Sequence, residues 1–323
     1  MSSILKIYTK ENRPFLILLL SIIFILIIDS NGASVLNIST IFSMTQLFAT
    51  LGLVCLALSL TLMINEFDLS IPASFTFAGA VAVLTGTESP LVGLILAMFT
   101  GAFFGGFQGL LIIKLKIKAV GLTLGGFLTL IGMNYFLTKG STIAYSNFNI
   151  SNFLQLSAWG IISIRGIIVL FVFVAAATIM RYTRLGRDII AIGSNRSAAH
   201  VAGVNVNAII VGVFSCAGAL CALGGGLLSY SLQAASATQL SDTLVSASSA
   251  AILGGASLSG GKGTPMGIMA GVLTICLIRA CLTALGTQPQ MLDICTGFLL
   301  LVVAITDAPL FNQSIKVFIK NTK

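Results

Sequence analysis

Charge is what this sequence has least of: Lys, Arg, Asp and Glu make up 8% of 323 residues, where a soluble domain carries about 25%. So few charges cannot wet the surface of a soluble protein this long, which excludes the two soluble domains of about 150 residues that length alone would allow. Histidine is nearly missing as well. His200 is the single one, so no histidine cluster can hold zinc or iron and no metal site is expected. Cys55, Cys216, Cys221, Cys276, Cys281 and Cys295 all lie inside apolar runs with no CxxC spacing, as expected of small buried hydrophobes. A nucleotide cradle is absent too. The run Gly254–Thr264 (GGASLSGGKGT) invites a GxxxxGK[ST] reading, but that pattern needs glycine at 256 and Ser or Thr at 263, where Ala256 and Gly263 stand. No cofactor is expected.

What remains is apolar: 57% hydrophobic residues and a mean hydropathy of +1.06. A helix needs about 20 apolar residues to cross the hydrocarbon. The runs predict about ten spans, at 14–29, 40–64, 70–86, 91–113, 119–138, 164–180, 208–231, 243–258, 265–284 and 291–308. The expected fold is an all-α membrane protein with 1–323 as a single transmembrane domain, leaving no room for a separate catalytic domain. Basic residues test this arrangement. With the N-terminus in the cytoplasm and the spans alternating, Lys6, Lys10, Arg13, Lys114, Lys116, Lys118, Arg181, Arg184, Arg187, Arg196, Lys262, Lys316, Lys320 and Lys323 fall inside. Only Lys139 and Arg165 fall outside, and Arg279 lies within a span. That asymmetry predicts an even number of spans with both termini cytoplasmic. The first span, ending in Asn31-Gly32-Ala33-Ser34, also has the outline of a signal peptide; its removal would not change the class.

Two loops are long enough to carry function. Residues 139–163 form an outer loop holding the single tryptophan, Trp159. Residues 181–207 form a basic inner loop whose AIGSNRSAAHVAGV portion reads as a short amphipathic helix capped by Ser194 or Asn195.

Gly254–Gly263 reads as a glycine-rich break between two spans, allowed at membrane depth where protein or a water-filled cavity satisfies the backbone. Gly263, Gly267 and Gly271, and likewise Gly101, Gly105 and Gly109, repeat at four-residue spacing, the pattern of closely packed helices. Between the second and third spans, Glu66 precedes Asp68, which with Ser70 is placed to cap the third span. Arg279 and Asp293 flank a short outer turn and are expected to pair. Gln108, Asn134, Thr123, Thr129 and Ser43 are uncharged polar residues at membrane depth, serving as helix-to-helix contacts or as pore lining. A path without charges suits a neutral, hydroxylated solute.

These residues bring a resemblance with them. Asp68-Leu69-Ser70, Lys114–Ile117 with Leu122–Gly125, Leu185–Val204, and Gly254–Gly263 stand in the order of four motifs of a known family. Over about residues 40–308 the chain resembles the membrane permease of bacterial ATP-binding-cassette importers of the ribose, xylose and galactose type, which includes autoinducer-2 permeases. It departs from the pattern at Asn65-Glu66-Phe67, at Ile71-Pro72-Ala73 and at Ala119-Val120.

The resemblance implies a fold like that of the vitamin B12 importer permease, and a multi-pass place in the bacterial cytoplasmic (inner) membrane. It implies a sugar or similar polyhydroxylated solute, with autoinducer-2 or a nucleoside as the alternative. It implies no catalysis by this chain. The expected partners are cytoplasmic ATPase subunits, an extracytoplasmic solute-binding protein, and a second permease, identical or a sister. Residues 181–207 become the coupling loop to the ATPase. There Gly186, Arg187 and Asn195 match the motif, Gly193 and Gly203 set turns, Ala198 and Ala199 allow close docking, and Arg196 supplies a rim charge. Asp68, Ser70, Thr123, Asn134, Gly254, Gly255, Ser257, Gly260 and Gly261 are the expected path or gate. An ion-coupled carrier would need paired membrane carboxylates, and an intramembrane enzyme an acidic, His or Cys constellation; neither is evident.

Overall fold

The computed structural model describes residues 12–29, 37–158, 160–236 and 243–307. Trp159, the segment Asn31–Ser34 and the lysines at either terminus (Lys6, Lys10, Lys316, Lys320 and Lys323) lie outside the described residues. The chain is predominantly helical. In order come α1 (Arg13–Ile28), α2 (Ile38–Met63), α3 (Ile71–Thr85), α4 (Pro90–Leu115), α5 (Ala119–Thr138), α6 (Phe148–Gln155), α7 (Ile164–Tyr182), α8 (Arg184–Ser194), α9 (Arg196–Val201), α10 (Val206–Leu232), α11 (Thr243–Leu253), α12 (Pro265–Ala284) and α13 (Pro289–Asp307). Two small antiparallel ladders join β1 (Ile143–Ala144) to β4 (Ala234–Ala235) and β2 (Ser157–Ala158) to β3 (Ile162–Ser163). Each apolar run of the sequence meets a helix. Among the described residues, α2, α4, α5, α7, α10 and α12 are long and apolar enough to cross a membrane, while α1, α3 and α11 are apolar but shorter.

The sequence starts these helices by familiar means. Side chains of Asn37, Ser163, Asn205 and Thr264 each accept an N–H of the first turn. Proline occupies the first turn of α1, α3, α4 and α12, where its missing N–H costs nothing. The predicted amphipathic helix of the inner loop is two helices. Asn195, extended at φ −158, breaks it, and its side chain caps α9 at Ala198 N, 3.0 Å away.

At the centre stands α2, against α3, α7, α10, α11 and α12; 83% of its apolar window is buried, against 17% for α5 at the periphery. On one side α10 packs along α3 and α4. The glycine spacing of α4 is intrachain packing: a side chain on Gly101 would strike the Gly218 carbonyl of α10, and one on Gly105 the carbonyl of Phe214. Gly267 and Gly271 lie in the same way against Gly254 and Ala250. Without a hydrophobic force between helices in lipid, such contacts gain their energy from close van der Waals approach. Cys55, Cys221, Cys276 and Cys281 are buried, but Cys216 is exposed on α10, correcting the expectation for that residue. An apolar outward face does not need covering in a membrane.

Helix ends gather into two groups. At one end meet the α2–α3 turn, α8–α9 and the α11–α12 glycine segment. At the other, the Tyr145 hydroxyl donates to Gly86 O at 2.8 Å, and the Tyr230 hydroxyl lies 3.0 and 2.9 Å from the carbonyls of Ala82 and Pro90. The two rings stack at 4.6 Å. Nearby, Ser151 Oγ and Gln155 Nε2 of α6 both donate to Ser231 O, at 3.0 and 2.5 Å. The expected Arg279–Asp293 pair is present at 2.7 Å, and Arg279 also donates to Ser246 Oγ at 3.0 Å, tying α11, α12 and α13 together.

Candidate functional site

The short turn between α2 and α3 is the hub of the first end. Asn65 takes a left-handed conformation, φ 62, which reverses the chain as α2 stops. The Asp68 side chain is 3% exposed. Its Oδ1 accepts from Ser70 N at 2.8 Å and from Ser70 Oγ at 2.6 Å. Asp68 therefore holds the turn leading into α3, one step earlier than the helix cap expected of it: Ser70 is the N-cap residue, and its side chain makes no cap bond. Burial raises the Asp68 carboxyl above its ordinary value, while the two bonds from Ser70 pull the other way.

Two further helices close around this turn. Ser70 Oγ is 3.1 Å from Gln108 Oε1 on α4, and Thr123 Oγ1 on α5 accepts from Leu69 N at 3.1 Å and lies 3.3 Å from Phe67 O. Asp68, Ser70 and Thr123 are thus brought together, with Gln108 joining them although it was not counted among the site residues. Asn134 is not part of the group. It sits at the other end of α5, fully buried, with Nδ2 3.4 Å from Ser236 O.

On the opposite side of the turn lies a seam built of backbone. Gly261 N donates to Met63 O at 2.9 Å. A side chain on Gly193, near the end of α8, would strike Met63 O and Gly261 N, and one on Gly260 would meet Asn65 Cβ at 2.5 Å and Gly193 O at 2.8 Å. Gly260 and Gly261 also have positive φ, 75° and 69°, a conformation that a Cβ makes costly. The glycine segment and the inner loop, read separately from the sequence, form one structure. Gly254 packs within the α11–α12 corner. Gly255 (φ 89) is exposed, with only Pro14 Cγ near its missing Cβ, at 3.5 Å. Ser257 Oγ accepts from Ser259 N at 3.2 Å within the segment.

The inner loop divides into a buried face and an exposed one. Gly186, Ile189, Ile192 and Gly193 bury one side of α8; Gly186 sits against the backbone of Met180, which sharpens the α7–α8 corner. Ala199 is 4% exposed and packs into the chain's own core, so it is not a docking contact. Its position on a short helix, one residue from the exposed Ala198, could not be told from sequence. Arg196 is exposed, and its Nη2 lies 2.6 Å from Glu66 Oε1, so the charge expected at the rim is paired within the chain. Arg187, Asn195 and Ala198 do face outward, Gly203 (φ 85) has open space around its missing Cβ, and Val201 is 87% exposed. Sequence reading passed over Val201; an apolar residue beside arginines, outside any span, was the available signal. Among the described residues no group of three His, Cys, Asp or Glu could hold a metal ion.

Comparison with known proteins places this arrangement. The family model described as "Branched-chain amino acid transport system / permease component" matches residues 40–304. The Ribose import permease protein RbsC of Escherichia coli (strain K12) is 29% identical over 310 residues, 94% of this chain and 95% of that protein. That of Haemophilus influenzae is 30% identical over 303 residues, 92% and 93% of the two chains. The Fructose import permease protein FrcC of Rhizobium meliloti is 26% identical over 308 residues, 91% of this chain and 84% of the other. No solved structure matches.

Proposed function

The chain belongs to the branched-chain amino acid transport system permease-component family, and from that premise we propose that it forms the membrane path of an ATP-driven importer for a sugar. It is a multi-pass membrane protein and a non-catalytic permease component, ATP hydrolysis belonging to a separate subunit. The observation that carries the sugar reading is the near full-length similarity to import permeases named for ribose and fructose.

In this reading residues 1–323 are one permease domain of ten spans with both termini in the cytoplasm, in a fold like that of the vitamin B12 importer permease. The grouping of helix ends supports the alternation: the α2–α3 turn, α8–α9 and the glycine segment share the end at which Arg181, Arg184, Arg187, Arg196 and Lys262 accumulate. The exposed face of residues 181–207 docks on the ATPase, with Arg187, Ala198 and Val201 outward and Gly186, Gly193, Asn195 and Gly203 shaping it. Residues 139–163 face the solute-binding protein, and a second permease completes the path. Asp68, Ser70 and Thr123 line or gate that path, with the Gly254–Gly261 segment bending beside it and Asn134 towards the outer end.

Reconstitution tests this. Proteoliposomes holding the permease, its ATPase and its binding protein should accumulate labelled D-ribose or D-fructose with ATP inside, and should continue when ion gradients are collapsed. Accumulation that needs the gradient and ignores ATP would overturn the proposal.

A further inference from the structure

The Glu66–Arg196 pair joins two segments 130 residues apart. Its partners differ in exposure: the Glu66 side chain is 12% exposed, that of Arg196 44%. An ion pair this open adds little to stability, so its value lies in what it holds in place. Glu66 stands just past the end of α2, the central helix of the bundle. Arg196 is the first residue of α9, on the surface assigned above to the ATPase. Beneath the pair runs the backbone seam of Met63, Gly193 and Gly261, with no side chain that could yield. A Cβ on Gly193 would strike both Met63 O and Gly261 N, so α8, the end of α2 and the glycine segment lie in close backbone contact.

We propose that Glu66 is a positioning residue that passes displacement of α9 into α2. The inference rests on the reading of α8–α9 as the ATPase contact and adds the route by which that contact reaches the core. The seam resists compression, because backbone meets backbone. The ion pair opposes separation, because its attraction joins the start of α9 to the chain just past α2. A push or a pull on α9 is then felt by α2, and through α2 by the five helices packed on it. Asn65-Glu66-Phe67, where the sequence departs from the family pattern, supplies the acidic half of this clamp.

Cys55 provides a reporter on α2. It is fully buried, with Sγ 3.4 Å from Ala247 O of α11, so a thiol reagent reaches it only when α2 and α11 separate. With the other five cysteines replaced, the permease–ATPase complex is reconstituted, and N-ethylmaleimide modification is timed without nucleotide and after trapping with ADP and vanadate. The two rates should differ about threefold or more, as expected for a motion biased by one such contact. Glu66→Gln and Arg196→Gln should bring the ratio to one while the ATPase still co-purifies, and the exchange Glu66→Arg with Arg196→Glu should restore it. A Glu66→Gln variant that keeps the wild-type ratio overturns the inference, as does a wild-type ratio of one. Val201→Glu separates this from the underlying reading. If the ATPase co-purifies with that variant, α9 is not its docking surface. If it is lost while Glu66→Gln retains its ratio, the relay alone fails.

Discussion

The two ends of the molecule are closed in opposite ways. At the end of α2 and α8, helix termini meet through glycine, backbone against backbone, with Gly193, Gly260 and Gly261 leaving no room for a Cβ. At the end of α3 and α10, the closure is made by long side chains reaching to carbonyls near helix termini: Tyr145 to Gly86, Tyr230 to Ala82 and Pro90, Gln155 to Ser231. The first kind of contact is short and unforgiving. The second works through side chains, the buried Tyr145 and Tyr230 among them, whose hydroxyl or amide groups reach carbonyls on neighbouring elements.

The sharpest way to break this comparison is Gly261→Leu. It adds bulk where Ser194 N and Cα already lie 2.8 Å from the missing Cβ, and should cost more than about 3 kcal/mol, seen as loss of the monodisperse peak in detergent. Gly261→Ala set beside Gly286→Ala refines the test. Both positions have positive φ, 69° and 73°, so both bear about 1–2 kcal/mol of left-handed strain. Gly286 has nothing within 4 Å of its missing Cβ. The melting temperature should therefore fall distinctly further for Gly261→Ala; equal losses would mean that conformation, and not close approach, decides the end of α2 and α8.

At the end of α3 and α10, Tyr230→Phe removes the hydroxyl between Ala82 O and Pro90 O and should cost about 1–3 kcal/mol, with Tyr145→Phe costing less because it serves one carbonyl. If Tyr230→Phe melts with the wild type, the tyrosines are packing groups and the contrast between the ends weakens. The smallest effect belongs to Asp68. Its folded carboxyl binds a proton more readily than the unfolded one, so its contribution to stability is greatest at low pH and declines as pH rises from 3.8 through the raised folded value. Asp68→Asn keeps an oxygen acceptor for Ser70 N and removes the buried charge. It should flatten that part of the pH–stability curve and raise stability at neutral pH. An unchanged curve would show that the charge is compensated within the turn.

Much of the fold could be read from the chain because membrane helices announce themselves. Runs such as Ile38–Met63 carry no charge and are mostly apolar, and charges and glycines mark where they stop. The Arg279–Asp293 pair was readable for a related reason: a short turn between antiparallel helices brings its two flanks to the same depth. The site was legible only in pieces. Asp68, Ser70 and Thr123 were picked singly, and only packing of α5 on α3 brings Thr123 to the turn. Gln108 and Glu66 were noticed but left without partners, because a contact between residues 66 and 196 has no periodicity to reveal it. Ala199 was misassigned because α9 is six residues long, too short for its pattern to say which side is inward.

The enclosure of α2 has a consequence for how the chain is made. It is synthesised about 140 residues before α10, which with α11 and α12 will cover much of it; at 5–20 residues per second that is an interval on the order of ten seconds. For that time a helix destined for the core is bathed in lipid. Its sequence is suited to the wait. Ser59 Oγ donates to Cys55 O at 2.6 Å, Thr61 Oγ1 to Leu58 O at 2.9 Å and Thr50 Oγ1 to Gln46 O at 3.1 Å, all within the same helix. These three hydroxyls are satisfied before any neighbour exists, so none of them is an orphaned donor in the hydrocarbon while the segment stands alone.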